Sequence, residues 1–260
     1  MDLMHRTEPK VVAIIPARYH SSRFEGKPLA AICGKPMIQH VYERAQAAPL
    51  LSRVAVATDD ERIVHCVRGF GGEVVMTSPD HRSGTDRLAE AATLMDIREQ
   101  DVVVNIQGYQ PLFNAEIVAQ VAQPLLDDPL LPMATLIYTI VRQEEINDSN
   151  HVKTVFDRQG MALYFSRAPI PFCRHPQEKE TPTYYKHLGF YAYRKEFLLN
   201  FVALPEGEWE RYEKLEQLRA LEYGYGIKVV LTGHDSIEVD TPADLRRVEA
   251  LCQDISGTTP

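Results

Sequence analysis

Val11-Val-Ala-Ile-Ile15 is an unbroken apolar run near the N-terminus, and similar runs return along the chain with amphipathic stretches between them. A strand that is apolar at every position has no face to give to water, so it must be covered on both sides, as strands of a parallel sheet are. Arg53-Val-Ala-Val-Ala-Thr58 reads as a second strand, Glu73-Val-Val-Met76 as a third and Asp101-Val-Val-Val-Asn-Ile106 as a fourth. From Pro36 onward Met37, Val41 and Ala45 share one helical face, and Thr85 to Met95 and Ala115 to Leu126 also carry helical patterns. This order of strands and helices predicts an α/β fold with a doubly wound, mostly parallel sheet.

After Met133 the pattern changes. Met133 to Val141, Val152 to Phe156 and Ala162 to Phe165 look like strands with little helix between them. The stretch from Ala168 to Tyr185 carries four prolines and many charges, which predicts a surface excursion. A strand at Leu188 to Tyr193, an amphipathic helix from about Trp209 to Tyr223, a strand at Ile227 to Leu231 and a helix at Pro242 to Cys252 complete the reading. No repeat or low-complexity tract divides the chain. Residues 1–260 are therefore expected to form one domain, with a smaller β-rich lobe inserted at about 133–195.

Composition narrows the partners. The formal net charge is −8, the wrong sign for a chain that binds a nucleic-acid backbone. A small anion is compatible with it, because a local cationic cleft can sit in an acidic surface. The first ten residues are polar, and no apolar run approaches the roughly 20 residues that span a bilayer. Cys33, Cys66, Cys173 and Cys252 are far apart and form no CxxC, so they read as reduced thiols. The expectation is a soluble, cytoplasmic protein with neither nucleic-acid nor membrane partners. The histidines are scattered without HExxH spacing, so a zinc site is not expected.

The loop after the first strand, Pro16 to Pro28, holds Arg18, Arg23 and Lys27 with Ser21, Ser22 and Gly26 between them. In an open α/β sheet ligands bind at the carboxyl ends of the strands, where this loop lies. Cations and backbone N–H groups there can cradle a triphosphate, although GxxxxGK[ST] is absent. A solvated basic loop would have the same composition. Ser83-Gly-Thr85 ahead of a helix is also a cap signal, with Thr85 as the candidate cap. Glu213, Glu216 and Gln217 fall on one helical face opposite Tyr212, Leu215 and Leu218, as a solvated face would. Asp240-Thr-Pro242 satisfies the cap-then-proline rule by itself.

The strings Ile15-Pro-Ala-Arg-x-x-Ser-Ser-Arg23, Gly26-Lys-Pro-Leu29 and Gly34-Lys-Pro-Met-Ile38 resemble the opening of the CMP-Kdo synthetases, or 3-deoxy-manno-octulosonate cytidylyltransferases. Val56-Ala-Thr-Asp59, Ser83-Gly-Thr-Asp-Arg87, Asn105-Ile-Gln-Gly108, Ala162-Leu-Tyr-Phe-Ser-Arg167, His187-Leu-Gly189, Leu215-Glu-Gln-Leu-Arg219 and Val239-Asp-Thr-Pro242 continue the resemblance in the family's order. It implies a nucleotide-diphospho-sugar transferase fold, a homodimer, and transfer of CMP from CTP to the eight-carbon acidic sugar Kdo or its 8-amino form for lipopolysaccharide synthesis. It also implies that Pro16, Ala17, Arg18, Ser21 and Lys27 hold the nucleotide, with Arg18 and Lys27 on the phosphates as catalytic groups. Ser83 and Gln107 would read the cytosine and ribose. Arg87, Arg167, His187, Glu216 and Gln217 would surround the sugar acid, where an arginine fork suits a carboxylate. Asp240 would be a catalytic ligand of Mg²⁺, which takes few carboxylates plus phosphates and waters.

The chain departs from that pattern at a second metal-ligand position. The family's Gln-Gly-Asp-x-Pro reads Gln107-Gly-Tyr-Gln-Pro111 here, so Tyr109 stands where an aspartate is usual. A phenol ordinarily titrates near pH 10, so it is neutral at pH 7 and a poor Mg²⁺ ligand. Three consequences are open: a weakened enzyme, an enzyme that works with Asp240 and phosphates alone, or a sugar-nucleotide binder without chemistry. The first is the reading adopted. Glu25 replaces a usual proline, and Gln110 matches the subset that uses the 8-amino sugar. A nucleotidyltransferase acting on another sugar is the remaining alternative.

Overall fold

The computed structural model describes residues 8–20, 24–174 and 182–257. Strand β1 (Val11–Ala17) leads through a 3-10 turn at Lys27–Leu29 into a short hairpin, β2 (Ala31–Ile32) and β3 (Lys35–Pro36), and helix α1 (Met37–Gln46). Then come β4 (Leu51–Thr58), α2 (Glu61–Gly69), β5 (Val74–Met76), α3 (Gly84–Leu94), β6 (Val102–Asn105), α4 (Glu116–Asp127) and β7 (Met133–Thr139). The chain continues through α5 (Gln143–Asn147), β8 (Lys153–Phe156), β9 (Ala162–Ser166), β10 (Tyr185–Arg194) and α6 (Lys195–Ala203). It ends with α7 (Glu208–Glu213), α8 (Leu218–Glu222), β11 (Ile227–Leu231) and α9 (Pro242–Gly257).

The main path of the sheet runs β11-β7-β10-β6-β1-β4-β5. β1 is parallel to both β4 and β6, β4 to β5, and β11 to β7; β10 is antiparallel to β6 and β7. The sheet is thus mixed but mostly parallel, an α/β fold of the expected kind. Of the span 133–195, β7 and β10 lie within this sheet, while β8 and β9 form an antiparallel ribbon joined to it through Lys186 and Lys153. Part of the proline-rich excursion lies outside the described residues.

Alternate residues of β1 serve opposite cores. Val11, Ala13 and Ile15 pack with residues of α1, α2 and α4, whereas Val12 and Ile14 pack with residues of α3, α6 and α8. Both faces of the first strand are therefore covered, as its unbroken apolar run requires. A third, smaller cluster joins Ile32, Met37, Val239, Val248 and Cys252, beneath α9.

Four local expectations need correction. Helix α2 is absent from the sequence-based expectation, yet the parallel neighbours β4 and β5 can be joined only by a crossover. Asp60 caps it, accepting from the Arg62 N–H at 2.9 Å. α5 and α6 likewise add short helices where the pattern suggests only strands and loops. Ser83, not Thr85, caps α3, in a reciprocal box with Asp86 (3.0 Å in each direction). The helix expected across Trp209 to Tyr223 is broken into α7 and α8 at Lys214, whose φ is +52°. Glu213, Glu216 and Gln217 therefore do not share one helical face, and Tyr212 is exposed rather than on an apolar side.

Candidate functional site

A cleft of about 410 Å³ opens where the carboxyl end of β1 meets the loops that follow β5 and β6. Pro16, Ala17 and Arg18 form one wall, Arg82, Ser83 and Gly84 a second, and Gln107, Gly108 and Tyr109 a third, with Lys27 closing the group. The walls approach closely at Gly108, where a Cβ would lie 3.0 Å from the Pro16 carbonyl oxygen. Of the residues expected to hold a nucleotide, Pro16, Ala17, Arg18, Lys27, Ser83 and Gln107 all line this cleft. Ser21 lies outside the described residues, as does Arg23.

The cationic groups are held by elements distant in sequence. Arg18 donates to the carbonyls of His81 at 2.8 Å and Arg82 at 3.4 Å, which ties the β1 loop to the entry of α3. Lys27 is buried; its Nζ lies 3.1 Å from Asp240 Oδ1 and 4.2 Å from the centre of the Tyr109 ring. The ring thus offers its negative face to the ammonium that Asp240 also neutralises. Val239 N–H donates to the Tyr109 carbonyl at 2.9 Å, fixing the segment that bears Asp240 beside the end of β6. Tyr109 packs against the small cluster beneath α9.

The described ends of the β1 loop are clamped from outside. The Arg62 guanidinium lies 3.2 Å from the centre of the Tyr19 ring and is itself gripped by Asp60, with Nε at 2.9 Å and Nη2 at 2.6 Å. The Tyr19 ring also meets Gly26, where a Cβ would come within 3.2 Å of it. Gly26 adopts φ +68° and donates its N–H to the Tyr19 carbonyl at 2.8 Å. A side chain at 26 would be strained by both the backbone and the ring.

A second group of expected residues lies outside the cleft lining. Arg87 is fully buried, donating to Thr77 Oγ1 at 2.5 Å and facing Asp59 at 3.2 Å. Its Nη2 is the atom that meets Asp59, and its Nε makes no hydrogen bond among the described residues. Glu216 accepts from Thr85, next to the Ser83 and Gly84 of the cleft wall. Burial pushes its carboxyl above the usual range, against the opposing hydrogen bonds from Thr85 and Ser83. The neighbouring Gln217 is buried, and its Nε2 has no hydrogen-bond partner among the described residues. His187 Nε2 lies 2.9 Å from Thr135 Oγ1, with its ring between those of Phe165 and Tyr191 at 5.5 and 5.1 Å. Burial there lowers its pKa from 6.5 to about 4, so the imidazole is neutral. Arg167 donates to the carbonyls of Ser149 at 2.9 Å, Glu213 at 2.6 Å and Lys214 at 3.2 Å, the last two at the break between α7 and α8.

Gln107 and Gln110 brace the same region. They donate to the carbonyls of Gly189 at 3.3 Å and Leu188 at 2.9 Å, inside an irregular stretch of β10 where Gly189 has φ +74°. Sequence reasoning misses His20 and Arg82, which also line the cleft, and the clamp of Tyr19 and Arg62. Arg82 has a usable signal, because it immediately precedes a helix cap after a strand end. Tyr19 and Arg62 have none, because their contact depends on how α2 packs.

Asp240 is the carboxylate that meets this cleft through Lys27, and no group of three His, Cys, Asp or Glu side chains among the described residues is arranged to hold a metal ion. One carboxylate together with phosphate oxygens and waters is nonetheless a sufficient donor set for a single Mg²⁺. The chemistry of the donors thus fits one such ion beside a bound triphosphate and offers no second carboxylate at Tyr109.

A profile of the cytidylyltransferase family matches residues 12–230. A 3-deoxy-manno-octulosonate cytidylyltransferase of Syntrophus aciditrophicus is 62% identical over 239 residues, covering 92% of this chain and 96% of that one. An 8-amino-3,8-dideoxy-manno-octulosonate cytidylyltransferase of Shewanella oneidensis is 57% identical over 240 residues, covering 92% and 97%. Among solved structures, a CMP:2-keto-3-deoxy-manno-octonic acid synthetase in complex with CTP superposes with a TM-score of 0.88 at 45% identity, covering 95% of this chain and 99% of that one.

Proposed function

The chain belongs to the cytidylyltransferase family, and from that premise we propose that it transfers CMP from CTP to 3-deoxy-manno-octulosonate or its 8-amino form, releasing pyrophosphate. The observation that carries the reading is the convergence of Arg18, Lys27 and Arg82 on one cleft at the carboxyl ends of parallel strands, in a chain of net charge −8. Such a cleft concentrates positive potential where a triphosphate can lie. Pro16 and Ala17 line the nucleotide's place, the side chains of Arg18 and Lys27 hold the phosphates, and Ser83 and Gln107 contact the nucleoside. Glu216, Gln217, His187 and Arg87 belong to the sugar side. Arg167, spent on backbone carbonyls, shapes the segment that carries Glu216 and Gln217.

In the transfer itself the anomeric hydroxyl of the sugar attacks the α-phosphorus in line with the departing pyrophosphate. The protein contributes by aligning the two substrates and by offsetting charge on the phosphate oxygens with Arg18 and Lys27. The unpaired Nε2 of buried Gln217 is a donor suited to a sugar oxygen, and a site built this way rejects analogues that lack the oxygen. Asp240, with phosphate oxygens and waters, would hold a Mg²⁺ ion, which when bound would supply further Lewis-acid stabilisation of that charge. The active form is a cytoplasmic homodimer.

Calorimetry with CTP at millimolar Mg²⁺ tests the assignment directly, and absence of measurable affinity would overturn it. Pyrophosphate release with Kdo, 8-amino-Kdo and a hexose 1-phosphate then identifies the acceptor. At the departing position, Tyr109→Asp is expected to raise kcat by about tenfold, which corresponds to about 1.4 kcal/mol of barrier. It should also tighten Mn²⁺ binding to the CTP complex, read by paramagnetic relaxation. If neither rises, Tyr109 does not limit metal binding.

A further inference from the structure

The β2–β3 hairpin turns through Cys33 and Gly34, with φ of +47° and +81°. Two successive residues in the left-handed region define a turn that glycine, asparagine and aspartate occupy readily, so a cysteine there carries a steric cost. The turn directs the Cys33 side chain at α9. Its Sγ donates to the Glu249 carbonyl at 3.7 Å, which sets it against the turn of α9 that carries Cys252. Cys252 stands one helical turn after Glu249, buried in the cluster of Ile32, Met37, Val239 and Val248. One thiol is therefore exposed and the other buried, with no bridge formed. The two cysteines are far apart in sequence; folding places them together.

We propose that Cys33 and Cys252 form a reversible dithiol–disulfide site that reacts with low-molecular-weight disulfides and fastens α9 to the β2–β3 hairpin. The Cys33 thiol gives up its proton and attacks one sulfur of the small disulfide. An S–S bond to Cys33 forms, and the other half leaves as a thiolate that takes up a proton. Cys252, deprotonated in turn, attacks Cys33 Sγ and expels the second small thiol. Two protein thiols are oxidised and one external disulfide is reduced to two thiols, so the exchange balances.

The position of the link matters to the cleft. The 3-10 turn of Lys27 is followed after Ala30 by β2, and Asp240 lies two residues before α9, so the bridge joins the two segments that bring Lys27 and Asp240 together. Desolvation, reinforced by the neighbouring Cys252, raises the Cys33 thiol above its ordinary value. Thiolate is then scarce at neutral pH, and the exchange accelerates as pH rises. The inference stands on the thiol geometry and does not require the transferase reading.

The test is incubation of the full-length protein with glutathione disulfide, followed by digestion without reduction and mass spectrometry. The expected product is a peptide pair joined through Cys33 and Cys252, released by dithiothreitol and forming about tenfold faster per pH unit between pH 7 and 8. The pair should persist in Cys66→Ser and Cys173→Ser proteins and vanish in Cys33→Ser and Cys252→Ala proteins. The oxidised protein should melt about 5 °C higher than the reduced one, because closing so long a loop restricts the unfolded chain. Recovery of glutathionylated Cys33 without the joined pair, or of a bridge involving Cys66 or Cys173 instead, would overturn the proposal. Peptide mapping of the unmutated protein decides this even where a variant fails to fold.

Discussion

Lys27 reaches the cleft between groups drawn from three regions of the chain: its own loop after β1, Tyr109 after β6 and Asp240 before α9. An ammonium so enclosed has little freedom, and its charge is fixed where a phosphate can meet it. The β1 loop is steadied in turn by the stack of Arg62 on Tyr19, which Asp60 orients. Arg62→Ala should therefore raise the KM for CTP about fivefold, the loss of roughly 1 kcal/mol expected for a stacked cation, with kcat changed less than twofold. Tyr19→Phe, which keeps the ring, should leave both constants near those of the unmutated protein. Steady-state kinetics with CTP as the varied substrate checks this, and an equal fall in kcat for Arg62→Ala would show that the stack serves the chemical step instead. None of these contacts follows from residue spacing. The basic residues are visible in the sequence; their partners are not.

At the scale of elements, the entry of α3 shows one residue serving two ends. Ser83 caps the helix in a box with Asp86 and also lines the cleft, while Asp86 is absent from the lining. Each of Ser83→Ala and Asp86→Ala should cost about 1 kcal/mol of stability through the lost cap. CTP affinity should fall only for Ser83→Ala. Urea melts combined with calorimetry separate the two effects, and equal loss of affinity in both variants would assign the Ser83 contribution to the cap alone. The break between α7 and α8 has a comparable logic. The amphipathic pattern from Trp209 to Tyr223 reads as one helix because local periodicity favours it. Arg167, arriving from β9, instead takes the carbonyls of Glu213 and Lys214, and Lys214 turns into the left-handed region. A tertiary donor thus overrides a local pattern, and in doing so it sets Glu216 against Thr85.

Across the whole molecule, packing of the β10 region and the α7–α8 break buries two titratable groups whose effects on stability oppose one another. His187 has a folded pKa of about 4, below its ordinary 6.5, so the unfolded chain binds the extra proton first as pH falls. Its contribution to stability is present above 6.5 and is lost as pH drops towards 4. Glu216 is raised, so its contribution is present below the ordinary carboxylate pKa and is lost as pH rises through its folded value. Thermal melts across pH 4 to 8 should show Glu216→Gln gaining relative to the unmutated protein toward the alkaline end. His187→Asn should flatten the acid slope. Parallel profiles for all three proteins would refute this division. The sequence by itself determined the strand–helix order, the two-faced covering of β1 and the candidate residues of the β1 loop. Those depend on periodicity and on a chain that must bury apolar residues wherever they fall. Only the tertiary structure decided that Lys27 meets Tyr109 and Asp240, that Arg167 breaks a helix, and that Cys33 faces Cys252. Such pairings are set by the relative placement of elements far apart in the chain, and no local pattern encodes that placement.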